Sequence, residues 1–493
     1  MNQLINKKIT ILFSLVVISS VLLSQNIGFE INIVDDSTTI LPTLVCKGNE
    51  NNNIVLVNKA PLFGTLRYYT CYLYTIDANG DTTSKSFAKA DTICNYYNFI
   101  RLKNGEPGFL LSGVGAPVSN TNSIFVIIKR LDEDLNIIWE KIWYFNYIYS
   151  GWRMQSMELN DGNILFGCSP TTTRTFLLKL TGNGDSLDFK QYSGNNAGDV
   201  KGLTYNHDST AYLLHTEWAH YQSGSASCSI ITINEQLEQT NVHFYPDFFL
   251  PPFNAMFLPD GTLLAGGFRY VTNPMPAKKY IAAYRLDTLF NVLYGINLTN
   301  PDTMSRGAEV RAIDYHYPSC IYIGGTHYMQ SINGNFPNWL YVAKLNNSLE
   351  LQYEKYIGGD AYYFAMSVSA TSDGGVMLCG RRSKPGASLH DCNGYIIKFD
   401  STGCSTGVNV DGEIKVKEAL VYPNPGREQL FVRTALKGCV IIIYNLSGKQ
   451  VIKQALTNHI NEINTNSLKS GTYIYVLVRG NKIIERGKWI KSN

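Results

Sequence analysis

The chain has 493 residues, of which 45% are hydrophobic and 16% charged, with 41 Gly, 32 Tyr and 10 Cys. That apolar content excludes wholesale disorder, and the scarcity of Ala/Leu/Glu/Lys-rich stretches argues against an all-α protein. A formal charge of +3 is too small to imply a nucleic-acid partner for the whole chain. The sum conceals an asymmetry. Residues 411–493 carry 13 Lys and Arg against 6 Asp and Glu, whereas the remainder, leaving out Lys7 and Lys8, carries 27 against 33.

At the N-terminus Lys7-Lys8 precedes the apolar run 9–23 (ITILFSLVVISSVLL) and then Ser24-Gln25. A basic start, a short apolar stretch and a small residue at its end form the export-signal pattern, which places a signal peptide at residues 1–24. The run is shorter than the roughly 20 residues a spanning helix needs. No other stretch is long and apolar enough to cross, so the mature chain is expected to be exported without a transmembrane segment. In an oxidising compartment the ten cysteines allow up to five disulfides. Cys379, Cys392 and Cys404 are close enough for a bridge within one unit, with buried free thiols as the alternative. No C-x-x-C spacing occurs, so zinc ribbons and redox dithiols have no support.

Between residues 40 and 408 one pattern recurs. A strand-like segment and a polar turn lead into a short apolar strand ending in a small residue. After a variable loop comes a strand of the form aromatic-apolar-x-Lys-Leu, closed by Asn/Asp-x-x-Leu. Clear copies are DGNILFG (161–167) with TFLLKLTGNGDSLDFKQYSG (175–194), and DGTLLAGG (260–267) with YIAAYRLDTLFNVLYG (280–295). Aligning the small residue gives Asn58, Gly113, Gly167, His215, Gly266, Gly324 and Gly380, spaced by 55, 54, 48, 51, 58 and 56. One small twisted sheet cannot bury both its faces alone, and radial stacking of several can. The period and strand content predict an all-β, seven-bladed β-propeller over 28–408, with six or eight blades as the nearest alternatives. The last unit stops at Thr402-Gly403-Cys404 without a fourth strand, so the unassigned strand 28–34 (GFEINIV) is expected to complete it. The units resemble the delta-60-type tandem repeats of secreted bacterial propellers, above all in DGGVMLCG (373–380) and WLYVAKLNNSLELQYEKYIGG (339–359). That resemblance implies a fold and no particular ligand.

Past a linker at 409–419, short alternating strands separated by turn residues predict a small C-terminal β-sandwich over 420–493. The segment opens on Tyr422-Pro423-Asn424-Pro425. A hairpin follows with Asn445, Gly448 and Lys449 at its turn, then a turn through Gly471 and Tyr473, and a basic final strand with Lys488 and Lys491. Together these motifs resemble the type A C-terminal sorting domain of the type IX secretion system. The resemblance implies passage of the outer membrane by that machinery, as the tail's partner, and a secreted or surface-attached product.

A search for chemistry is mostly negative. There is no H-E-x-x-H, P-loop, dinucleotide fingerprint or nucleophile elbow, so no catalytic, cofactor-binding or metal residue is assigned. His215 and His220 flank Glu217, but their spacing places them on one face of neither helix nor strand. Asp77–Asp81 alternates like a calcium loop yet lacks its sixth-position Gly and twelfth-position Glu, where Thr82 and Ala88 stand, and a hairpin turn is the better account. His390-Asp391-Cys392 reads as a loop, and Arg306, Glu309 and Arg311 share one slot suited to polar contacts. Tyr96, Tyr97, Trp152, Tyr362 and Tyr363 lie in segments that enter their units from the axial side. They are candidate ligand contacts, weighed against burial between sheets. The expectation is a non-catalytic secreted or cell-surface propeller that binds carbohydrate or protein. The alternatives are a secreted polysaccharide hydrolase or lyase with an axial site, and a structural surface component.

Overall fold

Asp, Asn and Thr at the repeat's turn positions set the architecture, because their side chains accept hydrogen bonds from the backbone just ahead of them. The computed structural model describes residues 28–35, 38–49, 51–61, 70–89, 91–120, 123–144, 154–171, 174–193, 198–220, 225–245, 252–271, 278–299, 305–328, 338–383, 391–403, 416–417, 419–422, 424, 426–434, 438–458, 460–480 and 482–492. The expected signal peptide and most of the linker lie outside them. Among the described residues every regular element is a strand, and no helix is long and apolar enough to cross a membrane.

Seven antiparallel sheets follow one another along the body. Sheets one to five each use four consecutive strands, from Thr38–Lys47 through Thr82–Ser86, Thr92–Leu102 through Ile137–Tyr144, Met154–Glu158 through Ser186–Ser193, Asp199–Tyr205 through Gln239–Tyr245, and Pro252–Phe257 through Val292–Asn297. Sheet six has a split first strand (Arg306–Gly307 and Ile313–His316), then Cys320–His327, Trp339–Asn346 and Leu351–Gly358. Sheet seven contains Tyr362–Ala370, Val376–Ser383 and Asn393–Phe399. Its fourth strand is Phe29–Ile33, paired antiparallel to Asn393–Phe399 with Phe29 opposite Lys398. The N-terminal strand therefore completes the last sheet, as the missing strand of that unit predicted.

The third strand of every sheet runs into the same turn. The carbonyl of its first residue accepts the amide of its fourth at 2.9–3.2 Å, and the fourth (Gly80, Leu135, Gly184, Leu237, Phe290, Leu349 or Gly403) has positive φ. Asp77 spends its carboxylate on the amides of Asn79 and Asp81, at 2.8 and 2.9 Å, so that segment is a hairpin turn and not a calcium loop. Where the fourth residue is Leu or Phe, its side chain is buried. Where it is glycine, an aromatic from the preceding sheet's outer strand takes the space. A Cβ would lie 2.9 Å from Phe29 at Gly80, and 3.0 Å from Trp139 at Gly184 and from Tyr353 at Gly403.

Burial is organised by interface. Separate apolar clusters lie between sheets one and two, two and three, three and four, four and five, five and six, six and seven, and seven and one. The first strand of each sheet contacts that of the next, and Tyr362–Ala370 contacts Thr38–Lys47. Sheets six, seven and one are also tied directly: Arg311 Nη1 donates to the Val45 carbonyl at 3.0 Å, and Val45 N–H to Ser367 Oγ at 3.3 Å. Inner strands are thus buried on both faces, which removes the polar alternation that a one-sided sheet would show. In sheet four the small-residue slot holds His215 instead, and Gly202 directly opposite makes the room.

The nine cysteines among the described residues are buried, and none of them is in a disulfide. This corrects the expectation of disulfides, including a bridge between Cys379 and Cys392; Cys404 lies outside the described residues. Seven of the thiols serve as small apolar side chains in the clusters, and burial pushes those of Cys94 and Cys392 up to about 11.

In the tail, Leu420–Tyr422, Gln429–Arg433 and Ile460–Asn464 form one sheet, and Gln450–Leu456, Cys439–Asn445, Gly471–Arg479 and Lys482–Lys491 another. One core between them holds Leu430, Val432, Ile441, Ile443, Tyr475 and the fully buried Trp489.

Candidate functional site

The axial aromatics are placed first by burial. Tyr96 and Tyr363 have no solvent exposure and Tyr362 has 5%. Tyr97 is half-buried against the cluster between sheets two and three, and Trp152 lies outside the described residues. Tyr96 and Tyr363 belong to the clusters between sheets one and two and between sheets six and seven, and Tyr362 is buried beside Tyr363. Large aromatics supply apolar area where both faces of a sheet must be covered. Tyr363 donates its hydroxyl to Asp360 at 2.9 Å, within reach of Arg382.

His215 is fully buried, and burial lowers its pKa to about 4, so the ring is neutral. His220 lies on the same strand, five residues further along. No group of three or more His, Cys, Asp or Glu among the described residues is arranged to hold a metal. His390 lies outside the described residues, and Cys392 sits buried with its Sγ 3.5 Å from the Ile40 carbonyl. Arg306 pairs with Glu309 at 2.6 Å, and Arg311 is committed to the Val45 carbonyl.

Two adjoining hollows lie at the ends of the inner strands of sheets one to three. The first, about 390 Å3, is lined by Lys47, Asn52, Asn53, Arg101, Lys103 and Ser372. Arg101 is held at its rim by the Gly48 carbonyl, Asn49 and Glu133. Lys47 and Lys103 are exposed, and their ammonium groups make no ion pair among the described residues. The charge of Lys47 reaches His316, whose pKa is lowered first by partial burial and then by that charge. The second hollow, about 360 Å3, meets the first at Leu102 and is lined by Glu106, Arg130, Trp139, Glu158 and Asp161. Two of its carboxylates are hydrogen-bonded: Glu158 accepts the Lys103 amide at 2.5 Å, and Asp161 accepts the Asn163 amide and side chain at 3.0 and 2.7 Å. These hydrogen bonds hold the two carboxylates in place before any ligand arrives. Sequence reading missed the lysines because they gather only when sheets one and two stack. The repeat offered a faint signal, since Lys47 and Lys103 occupy neighbouring slots where the first strand ends.

The sorting-motif residues act structurally. Asn424 accepts the Ile490 amide at 2.9 Å and donates to the Lys488 carbonyl at 2.8 Å, which docks the Y-P-N-P segment on the last strand; Pro423 and Pro425 lie outside the described residues. Lys491 Nζ reaches the Arg427 carbonyl at 2.6 Å, and the Lys488 side chain is exposed. Asn445 accepts the amides of Ser447 and Lys449, at 3.1 and 2.9 Å, around Gly448, whose φ is +81°. Gly471 has φ +153°, Tyr473 donates to the Lys469 carbonyl at 2.7 Å and its ring lies on Trp489. Tyr422 stacks on Phe431 at 5.6 Å.

Residues 420–492 match the family described as the secretion system C-terminal sorting domain. The tail directs export by type IX secretion to the cell surface or extracellular space, and implies interaction with that machinery. The funoran endo-β-hydrolase of Wenyingzhuangia aestuarii is 31% identical over 98 residues, 19% of this chain, and the match spans only 13% of that protein's length. Similar solved structures include a protein of unknown function from Dyadobacter fermentans DSM 18053 (TM-score 0.39, 10% identity, 75% of this chain and 98% of that one). A GH43 β-1,3-galactosidase with galactodeoxynojirimycin scores 0.34 at 9% identity, covering 51% and 92%. Sqt1 from Chaetomium thermophilum scores 0.37 at 9% identity, covering 75% and 98%.

Proposed function

We propose that the chain is a secreted seven-bladed β-propeller, with the seven sheets as blades and strand 29–33 as the closing strand, whose body binds an acidic carbohydrate without turning it over. The cyclic order of the apolar clusters and first strands supports the propeller reading. The observation that carries the ligand reading is the hollow where Lys47 and Lys103, without an ion pair among the described residues, gather beside the salt-bridged Arg101 on a body with more acidic than basic residues. A sulfate or carboxylate fits the two ammonium groups, and the adjoining hollow offers committed polar groups and Trp139 for the sugar ring.

The test is an array of acidic and neutral glycans probed with the full chain, with a turnover assay on the same glycans. Binding is expected for acidic glycans only, weakened at least about 10-fold by Lys47→Ala with Lys103→Ala, with no product released. Binding untouched by the double substitution would refute the site, and turnover would favour a hydrolase or lyase.

A further inference from the structure

We propose that the outer edge of sheet six is a docking surface for the chain's own sorting domain, locked by a buried Glu354–Arg433 ion pair. On this account the tail is carried in a fixed pose and stays attached after the connecting segment is cut. The inference is independent of the ligand reading.

The outer strands of sheets two to five leave large apolar groups in water, as with Ile137, Leu187, Phe244 and Leu293 at 47–52% exposure. Leu351–Gly358 differs, being buried from Glu354 to its end. Three contacts account for the difference. Val416–Lys417 pairs antiparallel with Ile357 and Tyr356, adding a strand to the edge of sheet six. Tyr422, the first residue of the sorting motif, lies against the cluster between sheets five and six. Arg433, on the tail strand Gln429–Arg433, then enters the body. Its Nε donates to Glu354 Oε1 at 3.2 Å, and the two side chains are 3% and 0% exposed. The other carboxylate oxygen, Oε2, accepts the Tyr341 hydroxyl at 2.8 Å.

A carboxylate with no exposure is tolerated only when it is paired and hydrogen-bonded. The tail supplies Glu354 with a cation. The body thus carries a buried acid whose counter-charge comes from the sorting domain. Strand addition supplies affinity through main-chain hydrogen bonds, and the arginine supplies register, because an edge slip would leave both charges buried and unpaired.

The experiment places a specific protease site within 404–415 of the full chain, cuts it, and passes the product over gel filtration at micromolar concentration. The two pieces are expected to co-elute. Arg433→Ala and Glu354→Gln should each weaken retention at least about 100-fold, the scale for removing one partner of a buried pair. Hydrogen exchange guards against misfolding. In Arg433→Ala the amides of Leu351–Gly358 should lose protection while those of Gly471–Arg479 keep it. Separation of the wild-type pieces, or retention and protection unchanged in both variants, would overturn the proposal. So would loss of protection throughout the tail in Arg433→Ala together with unchanged retention in Glu354→Gln.

Discussion

Replacing Leu237 by glycine sets two known effects against each other at one residue. Leu237 holds φ +57° and has no solvent exposure, in the cluster that Leu159, Leu165, Leu177 and Tyr192 form between sheets three and four. The left-handed conformation costs a side-chain-bearing residue about 1–2 kcal/mol, which glycine would recover. Deleting a fully buried leucine side chain costs about 3–5 kcal/mol in lost burial and residual cavity. Burial wins, and Leu237→Gly is expected to destabilise the chain by about 2–3 kcal/mol. The backbone anchor survives the change, because Tyr192 donates its hydroxyl to the Leu237 carbonyl at 2.5 Å. Urea unfolding of the full chain, followed by fluorescence and far-UV circular dichroism, reads the difference as a lower midpoint with unchanged slope. A variant as stable as the parent, or more so, would mean that strain outweighs burial at this turn, and the account of all four Leu and Phe turns would fall with it.

Other predictions address single features. Gly184→Leu should destabilise by about 1–3 kcal/mol through its clash with Trp139, and combining it with Trp139→Ala should be non-additive by more than about 0.5 kcal/mol; additivity would show that the two do not share one space. His215, neutral in the fold, makes the unfolded chain bind one more proton between its ordinary 6.5 and the folded value of about 4. Stability should therefore fall by up to about 3 kcal/mol as pH drops through that window, and His215→Leu should flatten the dependence in denaturation series at pH 7, 5 and 4. The nine buried thiols should resist alkylation at pH 7 until urea is added, and a native mass two daltons low per bridge would instead restore disulfides to the account. Asn424→Ala removes both bonds that hold the Y-P-N-P segment on the last strand. It should cost about 1–3 kcal/mol and deprotect the Ile490 amide in hydrogen exchange, and unchanged protection would argue against that anchoring.

What was legible from sequence was local or periodic. Asp77, Asp132, Thr181, Asn234, Asp287, Asn346 and Asp400 recur because each accepts a backbone amide of its own turn, a contact spanning at most four residues. The unit lacking a fourth strand announced a partner elsewhere, and Phe29–Ile33 fills the place. The tail could be read because Asn424, Asn445 and Tyr473 build turns and strand contacts that demand those residue types.

Tertiary structure decided the rest. An aromatic at a strand's start looks the same in sequence whether it faces solvent or a neighbouring sheet, and only the stacking of sheets showed that Tyr96, Tyr362 and Tyr363 are covered. Ten cysteines in an exported chain suggested bridges, yet the nine described ones are held by separate elements among apolar side chains. Lys47 and Lys103 come together across two sheets, and Glu354 meets Arg433 across 79 residues of chain. Sequence by itself determined the strands, the turns and the address on the tail, since those depend on bonds between near neighbours. Which side chains are buried, and which charges meet, depends on the faces that stacking covers, and that information is present only in three dimensions.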